Sequence, residues 1–114
     1  MTQIFVFGSN LAGRHGKGAA LTARLYHGAI YGQGVGRQGN SYAIPTKDKN
    51  LVPLSLHTIE HYIMEFKEYA KQHPDLTFFI TRVGCGLAGY TDDVIAPMFK
   101  NISTNCILPT QWQS

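Results

Sequence analysis

The sequence predicts a single α/β domain of three layers, α/β/α, built on a mostly parallel mixed sheet. Short apolar runs alternate with segments of helical pattern, which implies parallel strands with helices on both faces. The glycines gather at 8–18, 28–39 and 84–89, and two of these clusters directly follow apolar runs. At 114 residues the chain has room for one core, so residues 1–114 are read as one domain.

The elements follow in order. Gln3 to Phe7 is an apolar run ending at Gly8, a buried strand, and a loop from Gly8 to about Lys17 follows it. Gly18 to Tyr26 favours helix, with Ala19, Ala20, Ala23 and Tyr26 on one face. The stretch from His27 to Asn40 is glycine-rich and irregular, and Ser41 to Pro45 is a second strand. From about Leu54 to Gln72, residues Leu56, Ile59, Ile63, Phe66 and Ala70 form one apolar stripe of a helix, with Ser55 as its N-cap and His73-Pro74 as its stop. Leu76 to Ile80 is a third strand, followed by a loop from Arg82 to Tyr90. A helix from about Asp92 to Lys100, capped by Thr91, and a last strand from Asn105 to Leu108 complete the chain. In parallel sheets ligands sit at the carboxyl ends of the strands. If the first and third strands are neighbours, their glycine-rich loops form two walls of one cleft.

Composition narrows the function. A hydrophobic fraction of 44% and a charged fraction of 15% are ordinary for a globular domain. The net charge is +3, but Arg14, Lys17, Arg24, Arg37, Lys47, Lys49 and Arg82 are dispersed rather than massed. That pattern argues against nucleic acid as a partner and for a small anionic ligand. Cys85 and Cys106 make no disulfide framework, MTQIFVFGSN does not read as a signal peptide, and no apolar run suits a bilayer. The expectation is a cytoplasmic protein with no membrane partner.

Four literal motif matches do not carry the chemistry of their motifs. Gly8 to Gly13 has Walker A spacing, but Arg14-His15 replaces the lysine and hydroxyl that triphosphate and magnesium require. Gly34-Val-Gly36-Arg-Gln-Gly39 leads into a strand rather than a helix. Gly84-Cys-Gly86-Leu-Ala-Gly89 does lead into a helix, but the next strand ends in Pro109 rather than in a ribose-binding acid. His57-Thr-Ile-Glu-His61 mimics a zinc motif without a third ligand, and reads as a solvated helix face.

Two loops remain. In the first, Phe7 to Ala20, glycines 8, 13, 16 and 18 allow consecutive amides to face phosphate oxygens, and the helix start at Gly18 adds its positive end. A simple turn needs fewer glycines. Asn10 offers a donor and an acceptor for ribose hydroxyls, and His15 is suited to move a proton or hold an anion. In the second, Thr81 to Tyr90, Tyr90 either stacks on a base or ribose or packs into the core. Arg82 pairs either with a phosphate or with Asp92 or Asp93. Cys85, between two glycines and with no base fixed by sequence, reads as a small space-filler. Gln33, Arg37, Gln38 and Asn40 either complete the pocket, form a lid, or belong to a plain surface loop.

At these loops the sequence resembles a macro domain. FGSNLAGRHGKGAA is similar to that family's Asn-containing strand end, glycines and alanine-rich helix. TRVGCGLAGY is similar to its later phosphate loop, and SYAIPTK to the strand between them. The resemblance spans about residues 3 to 100 and is closest to short phage and bacterial macro-like proteins and to the branch of ADP-ribose-1″-phosphate phosphatases. It implies a pocket for ADP-ribose with Asn10 near the distal ribose and residues 84 to 90 around the diphosphate. It carries over Asn10, His15 and Asp92 as catalytic residues, although helix capping explains Asp92 equally well. Gly8, Ser9, Asn10, Leu11, His15, Gly16, Gly18, Arg82, Gly84, Cys85, Gly86, Leu87, Ala88, Gly89 and Tyr90 are expected to bind the ligand. The family's Gly-Asp-Ile motif, whose Asp holds adenine, has no counterpart here, nor do one strand and one helix of a full macro domain. The expected function is binding of an ADP-ribose derivative with hydrolysis, phosphatase rather than glycohydrolase, requiring no metal and no cofactor. The alternative is a non-catalytic binder that sequesters such a nucleotide signal, as a phage protein would against host defence.

Overall fold

A computed structural model describes residues 2–113 as an α/β fold around a five-stranded sheet. The elements are β1 (Thr2–Asn10), α1 (Gly18–Tyr26), β2 (Gly36–Gln38), β3 (Ser41–Lys47), α2 (Leu56–Gln72), β4 (Leu76–Ile80), α3 (Asp92–Ile95) and β5 (Cys106–Ile107). One 3-10 turn, Ala96–Phe99, follows α3, and another, Thr110–Trp112, follows β5. The strand order is β2-β3-β1-β4-β5, with β1 parallel to both β3 and β4, β4 parallel to β5, and β2 antiparallel at the edge.

Alternation along β1 separates two cores. Ile4 and Val6 face α2 in the larger cluster, with Tyr42, Ile44, Ile59, Ile63, Phe66, Phe78, Ile95 and Phe99. Phe7 faces α1 in a smaller one, with Ala20, Ala23, Ala29 and Ala43. Alanines on α1 let that helix lie close to the sheet. The expected α2 stripe is buried at Ile59, Ile63, Phe66 and Ala70, and the Ser55 side chain accepts from the Thr58 amide as its cap.

Several boundaries differ from the sequence reading. Gly8 does not end β1, which pairs onward with β3 from Gly8 opposite Ile44 to Asn10 opposite Lys47, with an irregularity between Ser9 and Asn10. Within the stretch expected to be irregular, Gly36–Gln38 forms β2 against Ser41–Ala43. Pro45 is tolerated in β3 because β2 stops at Ala43, leaving no partner there for the missing N–H. The helix expected over 92–100 breaks after Ile95, because Pro97 has no N–H to continue the ladder and the chain tightens to 3-10. Thr91 precedes α3 but makes no side-chain cap. The last strand is shorter than expected, Cys106–Ile107. Among the described residues no helix is long and apolar enough to cross a membrane.

Phe66 is fully buried, with its ring 5.0 Å from Tyr42, 5.4 Å from Phe78 and 6.5 Å from Phe99. Phe66→Ala is expected to lower the unfolding free energy by about 3–5 kcal/mol. Ser55→Ala is expected to cost about 1 kcal/mol. Urea denaturation followed by circular dichroism checks both values and their order.

Candidate functional site

The site begins where β1 and β4 part. They pair from Thr2 opposite Leu76 to Val6 opposite Ile80. Beyond that the Val6 carbonyl accepts both the Thr81 amide at 3.0 Å and the Thr81 hydroxyl at 2.8 Å, and the β4 chain turns away. β1 runs on to Asn10 beside β3. Gly8 and Gly84 meet at the floor of the gap between them: a Cβ on Gly8 would stand 3.4 Å from the Gly84 nitrogen. Above this floor lies an open cleft of about 440 Å³. That volume falls in the range of small-molecule sites.

Four elements line the cleft. The end of β1 supplies Gly8, Ser9 and Asn10, and the start of α1 supplies Lys17 to Ala20. The end of β3 supplies Thr46 and Lys47, and the loop after β4 supplies Thr81 to Ala88. The two predicted loops are therefore opposite walls of one cavity. Leu11, His15, Gly16, Gly89, Tyr90 and Asp92, also expected at the site, do not line it. Lys17, Thr46 and Lys47 were not among the expected ligand residues. Thr46 and Lys47 were inferable, since a strand parallel to β1 must end at the same sheet edge.

The walls present donors. Lys17 stands at the N-cap of α1 without a side-chain capping bond, and the first turn holds no acidic residue. Gly18 adopts φ +58°. A cation at the positive end of a helix, followed by glycine, is a poor helix start by propensity and by charge. An anion resting on that end relieves the unfavourable charge. Across the cleft the amides of Gly84, Gly86, Leu87 and Ala88 donate to no acceptor among the described residues, whereas Cys85, Gly89 and Tyr90 donate to Arg82, Gly86 and Gly84 carbonyls. Among the described residues no carboxylate and no imidazole lines the cavity, while Lys17, Lys47 and Arg82 do.

The side chains nominated for chemistry are otherwise engaged. Asn10 Nδ2 donates to the Arg14 carbonyl at 3.1 Å and Oδ1 accepts from the Arg14 amide at 3.0 Å, so the carboxamide braces its own loop. The His15 ring is fully buried, edge-on to Phe7 at 5.2 Å, with Nε2 2.9 Å from the Gln33 carbonyl and Nδ1 without a partner. Tyr90 takes the packing role: its hydroxyl donates to the Leu54 carbonyl at 2.6 Å, tying the second loop to the approach to α2. Burial pushes the Cys85 thiol up to about 11, aided by the charge of Asp92, and leaves it a protonated wall residue.

Arg82 resolves to Asp92. Its Nε and Nη2 donate to the two carboxylate oxygens at 2.9 and 2.6 Å, and Trp112 Nε1 donates to Asp92 Oδ1 at 2.6 Å. Trp112 also packs on Phe99 at 5.2 Å. The hydrogen bond from Arg82, then that from Trp112, holds the Asp92 carboxyl down to about 2.

The glycine-rich stretch between α1 and β3 is neither lid nor pocket wall. It packs behind the first loop. Gly32 donates its amide to Gly13 at 2.8 Å, Ser9 Oγ donates to the Gly34 carbonyl, and Gln38 is buried with its Oε1 accepting from Ile30 at 2.7 Å. At Gly34 a Cβ would lie 2.1 Å from the Asn10 carbonyl, so only glycine permits this approach. Among the described residues no group of three or more His, Cys, Asp or Glu is placed to hold a metal ion. His57 and His61 are exposed on α2, with His61 Nε2 3.8 Å from Glu65.

Comparison with protein families, with curated proteins and with solved structures returns no match for this chain.

Because the folded pKa of Asp92 lies below its unfolded value of about 4, its contribution is present above that pH and is lost as the pH falls toward about 2. Asp92→Asn is expected to melt below the parent protein at pH 6, with the difference closing as the pH drops from about 4 to about 2. Paired thermal melts across that range check it, and a difference constant with pH would contradict the assignment.

Proposed function

We propose that this protein binds a nucleotide of the ADP-ribose type through its diphosphate, without turning it over. One observation carries the reading: two sets of unpaired backbone amides, at the start of α1 and at Gly84, Gly86, Leu87 and Ala88, border a cleft whose only charged lining residues, among those described, are cations. Two facing donor sets suit a pyrophosphate better than a single phosphate, because each phosphoryl group gains its own amides. The likeness of FGSNLAGRHGKGAA and TRVGCGLAGY to macro-domain loops points to the same ligand class.

Binding is favoured over hydrolysis by the same geometry. Moving a proton at the ligand calls for an acid or base within hydrogen-bond reach of it. His15 is buried behind the wall, Asp92 is held by Arg82 and Trp112, and Cys85 keeps its proton. The hydroxyls of Ser9, Thr46 and Thr81 already donate to backbone carbonyls. Sequestration of a nucleotide signal is the role that such a site fits.

Gly86 provides the test. Its φ is not positive, and a Cβ placed there meets no protein atom within 4 Å, so the fold itself does not require glycine at this position on the cleft wall. Gly86→Val is expected to keep the parent melting temperature within a few degrees while weakening ADP-ribose binding by about tenfold or more, roughly 1.4 kcal/mol. Isothermal calorimetry measures the affinity, and phosphate release from ADP-ribose-1″-phosphate is expected to stay at the blank rate. Absence of ADP-ribose binding to the parent protein rejects the proposal; phosphate release that Gly86→Val abolishes restores the hydrolase reading.

A further inference from the structure

The cleft is furnished for phosphates but not for a base. Among the described residues no aromatic ring and no carboxylate lines it, so they offer neither a stacking surface nor an acceptor of the kind that holds an exocyclic amine. Its one carboxamide, Asn10, is bound at both ends by the Arg14 backbone. Telling one base from another depends on a free donor set beside a free acceptor at its edge, and no side chain in this wall keeps that pair. Leu87, 64% exposed, and the half-buried Lys47 also line the cleft. Leu87 can cover any base with similar contact.

We propose that the site recognises the pyrophosphate bridge and is indifferent to the base, so that its ligands are nucleoside diphosphate sugars as a class. The inference rests on the diphosphate reading above and extends it to specificity. Electrostatic contacts then dominate the affinity, and exchanging adenine for another base leaves it nearly unchanged. A hydrogen-bonded base edge, by contrast, discriminates by about 1–3 kcal/mol per good contact pair, and a site built around such a group rejects analogues lacking it by as much as about 10⁴-fold.

The experiment is calorimetric titration of the full chain with ADP-ribose and with ADP-glucose, UDP-glucose and GDP-glucose, which differ from one another only in the base. Inorganic pyrophosphate serves as competitor. The expected result is dissociation constants for the three glucose nucleotides within about tenfold of one another, or about 1.4 kcal/mol. Pyrophosphate should displace each of them, and Gly86→Val should weaken all three alike. A spread above about thirtyfold among the three overturns base indifference while leaving the diphosphate site standing. Binding of ADP-ribose with none of the glucose nucleotides overturns the class assignment, because the sugar is then being read. Failure of ADP-ribose and pyrophosphate alike removes the underlying diphosphate reading and this inference with it.

Discussion

The parallel pairing of β1 with β4 is the constraint on which the site depends. These strands share a register as far as Val6 and Ile80, after which one continues and the other turns away. The Val6 carbonyl, taken by both donors of Thr81, marks the parting. A gap opens there because β1 still has β3 to pair with and β4 does not follow it. Gly8 and Gly84 floor that gap, and Gly84 holds a positive φ of +78° that favours glycine. Each wall is then the loop that its strand must make to reach the next helix.

The polar groups around the cleft divide into those that hold its shape and those left over. Ser9, Asn10, Thr46 and Thr81 direct their hydrogens at main-chain carbonyls, as buried polar groups generally must. The segment from Ala29 to Asn40 supports the first loop from behind, through Gly32, Gln33 and Gly34. The amides left over, those of Gly84, Gly86, Leu87 and Ala88, belong to residues that line the cleft. Free donors concentrated on one concave surface, beside cations and, among the described residues, without a carboxylate, suit an anion.

The Arg82–Asp92–Trp112 chain of contacts ties the tail of the molecule to the second loop. Arg82 is the one wall cation already neutralised, and the carboxylate that neutralises it is fixed in turn by an indole packed on Phe99. The loop therefore has two anchors, this one and the Tyr90 hydroxyl on Leu54. Between them lie residues 84 to 88, four of whose amides donate to no acceptor among the described residues.

Local pattern determined most of the fold. The apolar runs 3–7, 41–45 and 76–80, the α2 stripe and the Ser55 cap are properties of consecutive residues, and each is found as an element. The two glycine clusters that become the cleft walls were legible for the same reason. Tertiary structure decided what depends on residues distant in sequence. β1 extends through Gly8-Ser9-Asn10 because β3 lies beside it, and β2 forms because β3 offers an edge. His15 turns inward because Gln33 and Phe7 receive its ring, and Tyr90 reaches Leu54 rather than a ligand. Lys17 joins the wall because the start of α1 lies at the same cleft as the loop after β4. Periodicity and turn chemistry report the conformation of neighbours along the chain, while a side chain's direction at a loop is set by whichever remote backbone supplies its hydrogen bond.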